Sequence, residues 1–357
     1  MKIKSLLLLA IISLTYSANA AKWYVNVNTG ADSLDGSSPF YTLGLIGPKK
    51  TIANAFLFAG YSDTIYISEG LYEERLFLDK PIVLLGNNWG INPLTQTRNL
   101  ETIIVPPFLA TGFDIAGNSA IEIASCCVEI NGIMIKGDNP NIISPLTKYN
   151  KEYEVGYGIG VQGAYTDLYF NNLIINNFVY AGIRLASGSF PTLSNKIESS
   201  KISIGEQNSH GIILDENFYS DITFVTIDSV GKGLSFNNFS AKNSKNFTFS
   251  YINITAESNG ITLNNFSGST DSLKFEYNIF NPSDAINNFV GFTLIDLYSD
   301  GYSDISNFIS NYAYTGLSVR NVSASYLLNF ASNSFNYGKI GVNIEQSTMT
   351  PNVNLNL

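Results

Sequence analysis

A glycine followed by alternating apolar residues recurs along this chain as Gly158-Ile159-Gly160-Val161, Gly182-Ile183-Arg184-Leu185, Gly211-Ile212-Ile213-Leu214, Gly233-Leu234-Ser235-Phe236, Gly260-Ile261-Thr262-Leu263, Gly291-Phe292-Thr293-Leu294, Gly316-Leu317-Ser318-Val319 and Gly341-Val342-Asn343-Ile344. Successive glycines stand 24, 29, 22, 27, 31, 25 and 25 residues apart. A second element precedes most of them: two apolar residues at i and i+2, then an apolar residue or Asn at i+5. It reads Leu168, Phe170, Leu173; Ile222, Phe224, Ile227; Phe247, Phe249, Ile252; Leu273, Phe275, Asn278; and Leu328, Phe330, Asn333. Val128, Ile130, Ile133 and Ile135 carry the same spacing ahead of the glycine series.

Each unit therefore holds three short strands, and period-2 alternation turns one face of each inward. A unit this short cannot bury that face alone; stacking equivalent units buries it, with each strand bonded to its equivalent about 4.8 Å along the axis. Leucine-rich repeats, propellers and left-handed hexapeptide helices each demand a different period or a helical segment. Constant strands with variable turns predict an all-β, three-sheet, right-handed parallel β-helix of about ten coils. Phe170, Phe224, Phe249, Phe275, Phe308 and Phe330 are expected as an interior aromatic column. Asn278, Asn311 and Asn333 are expected as a hydrogen-bonded ladder at the following bend.

Residues 1–20 read as a signal peptide: Lys2 and Lys4, an apolar run from Leu6 to Thr15, and Ala18-Asn19-Ala20 ahead of a cut before Ala21. The chain is then secreted or periplasmic, with no membrane span after the leader is removed. Losing Lys2 and Lys4 leaves 18 basic against 29 acidic residues, a net charge of −11. Such a surface argues against nucleic acid as a partner. The two cysteines, Cys126 and Cys127, are neighbours and cannot staple a loop. On a strand one thiol would enter the core and the other face out, a strained vicinal bridge being the alternative.

Residues 21–60 differ in character from the repeats of 61–357. Thr51 can cap a short helix with Ile52, Ala55, Phe56 and Ala59 on one side, a lid for the exposed end of the solenoid. The run Lys50-Thr51-Ile52 through Ala55, then Asp63 to Ile67, Gly70-Leu71-Tyr72-Glu73-Glu74 and Pro81 to Gly86, resembles the N-terminal coil of pectin-lyase-like right-handed β-helix proteins. Trp23-Tyr24-Val25-Asn26 with Gly30, Asp32 and Gly36 is similar to the opening of many exported members. The resemblance spans nearly the whole mature chain and implies the fold. It leaves activity open, because lyases, hydrolases, esterases and binding proteins share this opening.

The family's chemistries can be tested on residues. Gly70 to Glu74 is similar to a pectin esterase motif, but the later aspartate contexts and the Arg-Pro-Trp segment are missing. The aspartate clusters of polygalacturonase-type hydrolases are missing too, and Ser209-His210-Gly211 matches their Gly-His-Gly element poorly. A lyase needs less, a carboxylate set for calcium and one Arg or Lys beside the substrate. No cofactor is evident from the residues, and Ca²⁺ is the one that the resemblance leaves open.

The strand after each glycine should present two outward columns: Gly160, Arg184, Ile213, Ser235, Thr262, Thr293, Ser318, Asn343; and Gln162, Ala186, Asp215, Asn237, Asn264, Ile295, Arg320, Glu345. Charge is rare on both; Arg184 and Asp215 fall on neighbouring coils, with Lys232 and His210 just before their glycines, and Lys232 is expected in a turn, pointing aside. Arg184, Asp215 and Lys232 are the candidate catalytic residues, a solvated ion pair being the plainer account. His210, Asn237 and Glu152 are candidate ligand-binding residues, Glu152 within an insertion at 136–157 that would wall one side of a groove. The function expected is binding, and if catalytic a lyase-type cleavage, of an extracellular polysaccharide or cell-surface glycan by a monomer. The alternative is a non-catalytic surface, adhesin-type or structural solenoid, which the similarity of the Phe-x-x-Asn and Gly-Ile elements to chlamydial-type polymorphic surface proteins also implies.

Overall fold

Each unit of the repeat folds into three strands, and each strand pairs with its equivalents one coil before and one coil after. A computed structural model describes residues 20–108, 118–142, 147–148, 151–152, 154–163, 165–186, 195–215, 220–237, 240–241, 247–268, 272–282, 289–297, 302–307, 309–311, 313–322, 327–345 and 352–356. The glycine-led sheet starts at Leu76–Leu78 and Ser119–Ile123, continues through Tyr157–Gln162 and Ala181–Ala186, and ends at Ile340–Glu345. A second sheet runs from Lys22–Val25 and Asp63–Ile67 to Asn352–Asn356. A third runs from Gly70–Glu73 and Thr102–Val105 to Ser334–Asn336. All of these ladders are parallel, and the fold is the expected all-β, three-sheet parallel β-helix, with the right-handed crossovers that parallel strands require. Among the described residues no helix is long and apolar enough to cross a membrane.

The corner between the second and third sheets sets the phase of the core. One residue there takes a left-handed backbone in coil after coil: Asn172 (φ 53°), Phe224 (54°), Tyr251 (56°), Tyr277 (53°), Asn307 (52°) and Ser332 (56°). The side chain two residues earlier points inward at Phe170, Ile222, Phe249 and Phe275, and the backbone register runs Ile130, Phe170, Ile197, Ile222, Phe249, Phe275, Ile305, Phe330, the Phe330 side chain lying outside what the structure describes. Phe224 is therefore not in the interior column. It sits on the corner, 50% exposed, and its place inside is taken by Ile222, which is fully buried. The spacing i, i+2, i+5 is the same in both phases, which is why periodicity put Phe224 inside. Phe308 lies outside the described residues.

The asparagine ladder forms with different members. Asn278 satisfies the corner by itself, its Oδ1 accepting Ile252 N at 3.1 Å and its Nδ2 donating to Phe249 O at 3.1 Å. Asn311 lies three residues farther along its coil, where Asn336 Nδ2 donates to Asn311 Oδ1 at 3.0 Å and Asn311 Nδ2 to Asn281 Oδ1 at 2.9 Å.

The N-terminal lid is the helix Ile52–Phe58. Thr51 Oγ1 accepts Asn54 N at 3.2 Å, and the Glu74 carboxylate of the first coil accepts Ile52 N and Ala53 N, both at 2.8 Å. Ile52 and Ala55 are fully buried against the end of the core. The cysteines depart from expectation. Both lie in the turn after Ser119–Ile123, with Cys127 in a left-handed backbone (φ 60°). The turn breaks strand alternation and brings the two sulfurs to 3.0 Å, Cys126 half-buried and Cys127 exposed.

Candidate functional site

The glycines build the site's floor. At the corner into the glycine-led sheet, carbonyls of adjacent coils approach so closely that a Cβ on Gly233 would lie 2.4 Å from Gly260 O. Only glycine fits there. Tight corners lock the register, and the two outward columns form as expected: Gly160, Arg184, Ile213 and Ser235 pair in order, as do Gln162, Ala186, Asp215 and Asn237.

Arg184 and Asp215 meet across a two-residue diagonal. Arg184 Nε and Nη2 stand 3.0 and 2.9 Å from Asp215 Oδ2, and Asn237 Nδ2 donates to Asp215 Oδ1 at 2.9 Å. On the other side, Arg184 Nη1 donates to Tyr157 Oη at 3.4 Å and the guanidinium carbon lies 5.6 Å from the ring centroid. Nothing in the residue pattern pointed to Tyr157, which sits one residue before its glycine and reaches Arg184 from the preceding coil. The ion pair is not the solvated one the residues alone suggested, since the side chains are only 18% and 20% exposed. Neighbouring strands and Tyr157 cover them.

His210 and Lys232 are register partners on adjacent coils. Lys232 lies within the strand Ser220–Asn237 and not in a turn; a register shift between Val230 and Lys232 lets the strand pass the corner unbroken. His210 Nδ1 is 2.7 Å from Ser235 Oγ. Burial, then the Lys232 ammonium, hold the His210 pKa down to about 4 against the opposing pull of Asp215. The imidazole is neutral at pH 7 and too weakly basic to suit proton abstraction there. Glu152 pairs by its backbone with Thr147 in a small antiparallel hairpin inside the insertion. The insertion is held at its base, Asn139 N donating to Glu154 Oε2 at 2.8 Å and Asn141 Nδ2 to Glu73 Oε1 at 2.6 Å.

Glu122 is a further group that the sequence reading missed. It precedes Gly160 in the same column as Arg184, and Arg75 Nη2 pairs with its Oε2 at 3.4 Å. Gly160 stands between Glu122 and Arg184 in that column, and the space its side chain would take is filled by Ser119 Oγ, 2.1 Å from where a Cβ would stand. That hydroxyl is buried and has no hydrogen-bond partner. The signal was present as a glycine in an outward position of the repeat. Calcium does not fit the Arg184 cluster. Both Asp215 oxygens are engaged by nitrogen donors, whereas Ca²⁺ takes six to eight oxygens. Among the described residues no three His, Cys, Asp or Glu side chains gather as a metal site.

The fold and this sheet define the chain's class, a β-helix protein whose glycine-led face carries the shielded Arg184–Asp215 pair and, farther along, an exposed Arg320–Glu345 pair at 3.8 Å. No protein-family model matches the chain, and no curated protein is similar to it in sequence. Among solved structures it is similar to a GH136 lacto-N-biosidase from Eubacterium ramulus, at 11% identity and TM-score 0.49, over 94% of this chain and 68% of that one. It is also similar to a pectin methylesterase from Erwinia chrysanthemi (13%, TM-score 0.40, 92% and 94%) and to the pectate lyase Pel9A (14%, TM-score 0.42, 93% and 80%).

Proposed function

We propose that the protein binds an extracellular glycan along the glycine-led sheet, with one sugar unit seated beside Arg184 and Tyr157. The observation that carries this reading is the Arg184 guanidinium on that sheet, held by Asp215 on one side and Tyr157 on the other. Arg184 is held by Asp215 and Tyr157, so its fork is oriented before a ligand arrives, and Nη1 faces a carboxylate or hydroxyl. The Tyr157 ring and hydroxyl offer an apolar face and a polar tip, which suit a sugar. Asn237 holds Asp215, and Asp215 holds Arg184; both act through the arginine. Lys232 adds positive charge beside neutral His210.

The cluster is better suited to binding than to bond cleavage. Glu122 and Asp215 are three coils apart, about 14 Å along the axis, beyond the roughly 5 to 9.5 Å that glycosidase carboxylate pairs span. An arginine locked to a carboxylate stays charged and is a poor proton acceptor. The test is a glycan panel against the purified mature protein, with and without Ca²⁺. Retention of an acidic or neutral polysaccharide that Arg184→Ala weakens at least tenfold supports the proposal. Retention unaffected by that change moves the site elsewhere, and no retained glycan favours the structural solenoid.

A further inference from the structure

Asp63 opens a strand of the second sheet and is only 7% exposed. Its Oδ2 accepts Gly60 N at 2.6 Å and Trp23 Nε1 at 2.9 Å, and its Oδ1 accepts Ala21 N at 2.7 Å. Ala21 O in turn accepts Thr64 N at 2.9 Å, after which Lys22 to Val25 run in parallel register with Thr64 to Ile67. The chain enters the solenoid at Ala21. Ala20, beside it, is exposed. Among the described residues no lysine or arginine forms an ion pair with Asp63; Lys80 Nζ donates instead to Ala59 O at 2.5 Å and lies over the Phe56 ring. A buried carboxylate held by neutral donors is costly unless a cation completes it.

The leader pattern and this contact meet at the same residue. Ala18-Asn19-Ala20 directs cleavage before Ala21, and the nitrogen which that cleavage frees is the one already bonded to Asp63. We propose that Asp63 is a binding site for the chain's own α-ammonium, generated by removal of residues 1–20, and that the pair closes the first coil. An export endopeptidase hydrolyses the Ala20–Ala21 amide: the C–N bond breaks, water supplies the second oxygen of the Ala20 carboxylate, and Ala21 leaves as an amine that is protonated at neutral pH. The amide offers one N–H to Asp63. The ammonium offers three and a full charge, and charge-assisted hydrogen bonds are roughly twice as strong as neutral ones. The first coil and the lid that rests on it are thus weaker in the precursor than in the processed protein.

Burial pushes the Asp63 carboxyl up, but the Trp23, Gly60 and Ala21 donors and the Lys80 charge outweigh it and hold it below the usual carboxylate range. A carboxylate ionised over the whole physiological range is what an ammonium ligand requires. The same pairing raises the pKa of the amine above the ordinary value of about 8.

Two proteins with defined starts test this, one beginning at Ala21 and one retaining Ala20, which moves the amine one residue away. The α-amine of the first should react with an acylating reagent at pH 7.5 at least about tenfold more slowly, since one unit of raised pKa removes nine-tenths of the free base. Its unfolding midpoint should also be higher by about 2 °C or more. Asp63→Asn should abolish both differences; if that variant does not fold, the comparison of the two starts stands alone. Equal acylation rates or equal midpoints overturn the proposal. So does N-terminal sequencing of the exported protein that reads anything but Ala-Lys-Trp.

Discussion

Phe249 and Phe275 stack inside the solenoid with ring centroids 4.8 Å apart and planes 18° apart, one coil spacing between them. Phe236 and Phe292, from the glycine-led sheet, meet this pair edge-on at 5.0 and 4.9 Å. Aromatic rings alternate between face and edge contact through the centre of the fold, the arrangement their quadrupoles favour. On the outer corner Phe224, Tyr251 and Tyr277 form a second stack, at 4.7 and 5.0 Å, with each ring about half exposed.

The two stacks differ in what they contribute. Phe249→Ala should destabilise the protein by about 3 to 5 kcal/mol, because it loses transfer energy and leaves a cavity between two rings. Phe224→Ala should cost about 1 kcal/mol or less, since the ring is half in water and the left-handed corner does not depend on it. Denaturant melts of both variants compare them, and equal shifts would place Phe224 inside.

Truncating Arg184 removes two donors from Asp215 in a site only about a fifth exposed, leaving Asn237 as its partner. Arg184→Ala should therefore cost about 1 to 3 kcal/mol of stability as well as glycan affinity. Asp215→Asn should cost a similar amount and weaken binding less than Arg184→Ala does, because the arginine remains. Thermal melts and binding isotherms on the two variants separate the effects.

His210 introduces a pH dependence of defined sign. Its folded pKa of about 4 lies below the ordinary value of 6.5, so the unfolded chain binds the proton more readily. This contribution to stability is full above pH 6.5 and is lost as pH falls toward 4, by up to about 3 kcal/mol. His210→Gln should flatten that part of the stability profile between pH 6.5 and 4. A wild-type profile that is already flat in that window would contradict the burial of the imidazole.

The sulfur pair predicts slow chemistry in the reduced protein. Hydrogen bonding to Cys126, then burial, pushes the Cys127 thiol up to about 11. At pH 8 little of it is thiolate, and alkylation should be slow for so exposed a thiol. Cys126→Ser should speed alkylation of Cys127 about tenfold, the gain in thiolate exceeding the loss in nucleophilicity. Mass spectrometry over a time course reads the rates.

The coil, its parallel pairing and the outward columns could be read from the residues, because spacing between glycines measures one turn and alternation measures one strand. Those quantities are local, so Gly160, Arg184 and Ile213 line up in the structure as their positions after each glycine require. The phase at the bend was not local. Ile222-Thr223-Phe224 satisfies the apolar spacing whichever of the two apolar side chains faces in, and the choice falls to the left-handed corner two residues past the inward one. Aligning Phe224-Val225-Thr226-Ile227 with Tyr251-Ile252-Asn253-Ile254 would have revealed it, but the energy that decides lies in stacking Ile222 on Phe249 across coils. The site divides in the same way. Arg184 and Asp215 were visible as rare charges on neighbouring units, whereas the Tyr157 contact and the shielding of the ion pair arise from diagonal reach between coils. Likewise the pattern Ala18-Asn19-Ala20 can be read from the residues, but only folding brings Ala21 N to Asp63, 42 residues away.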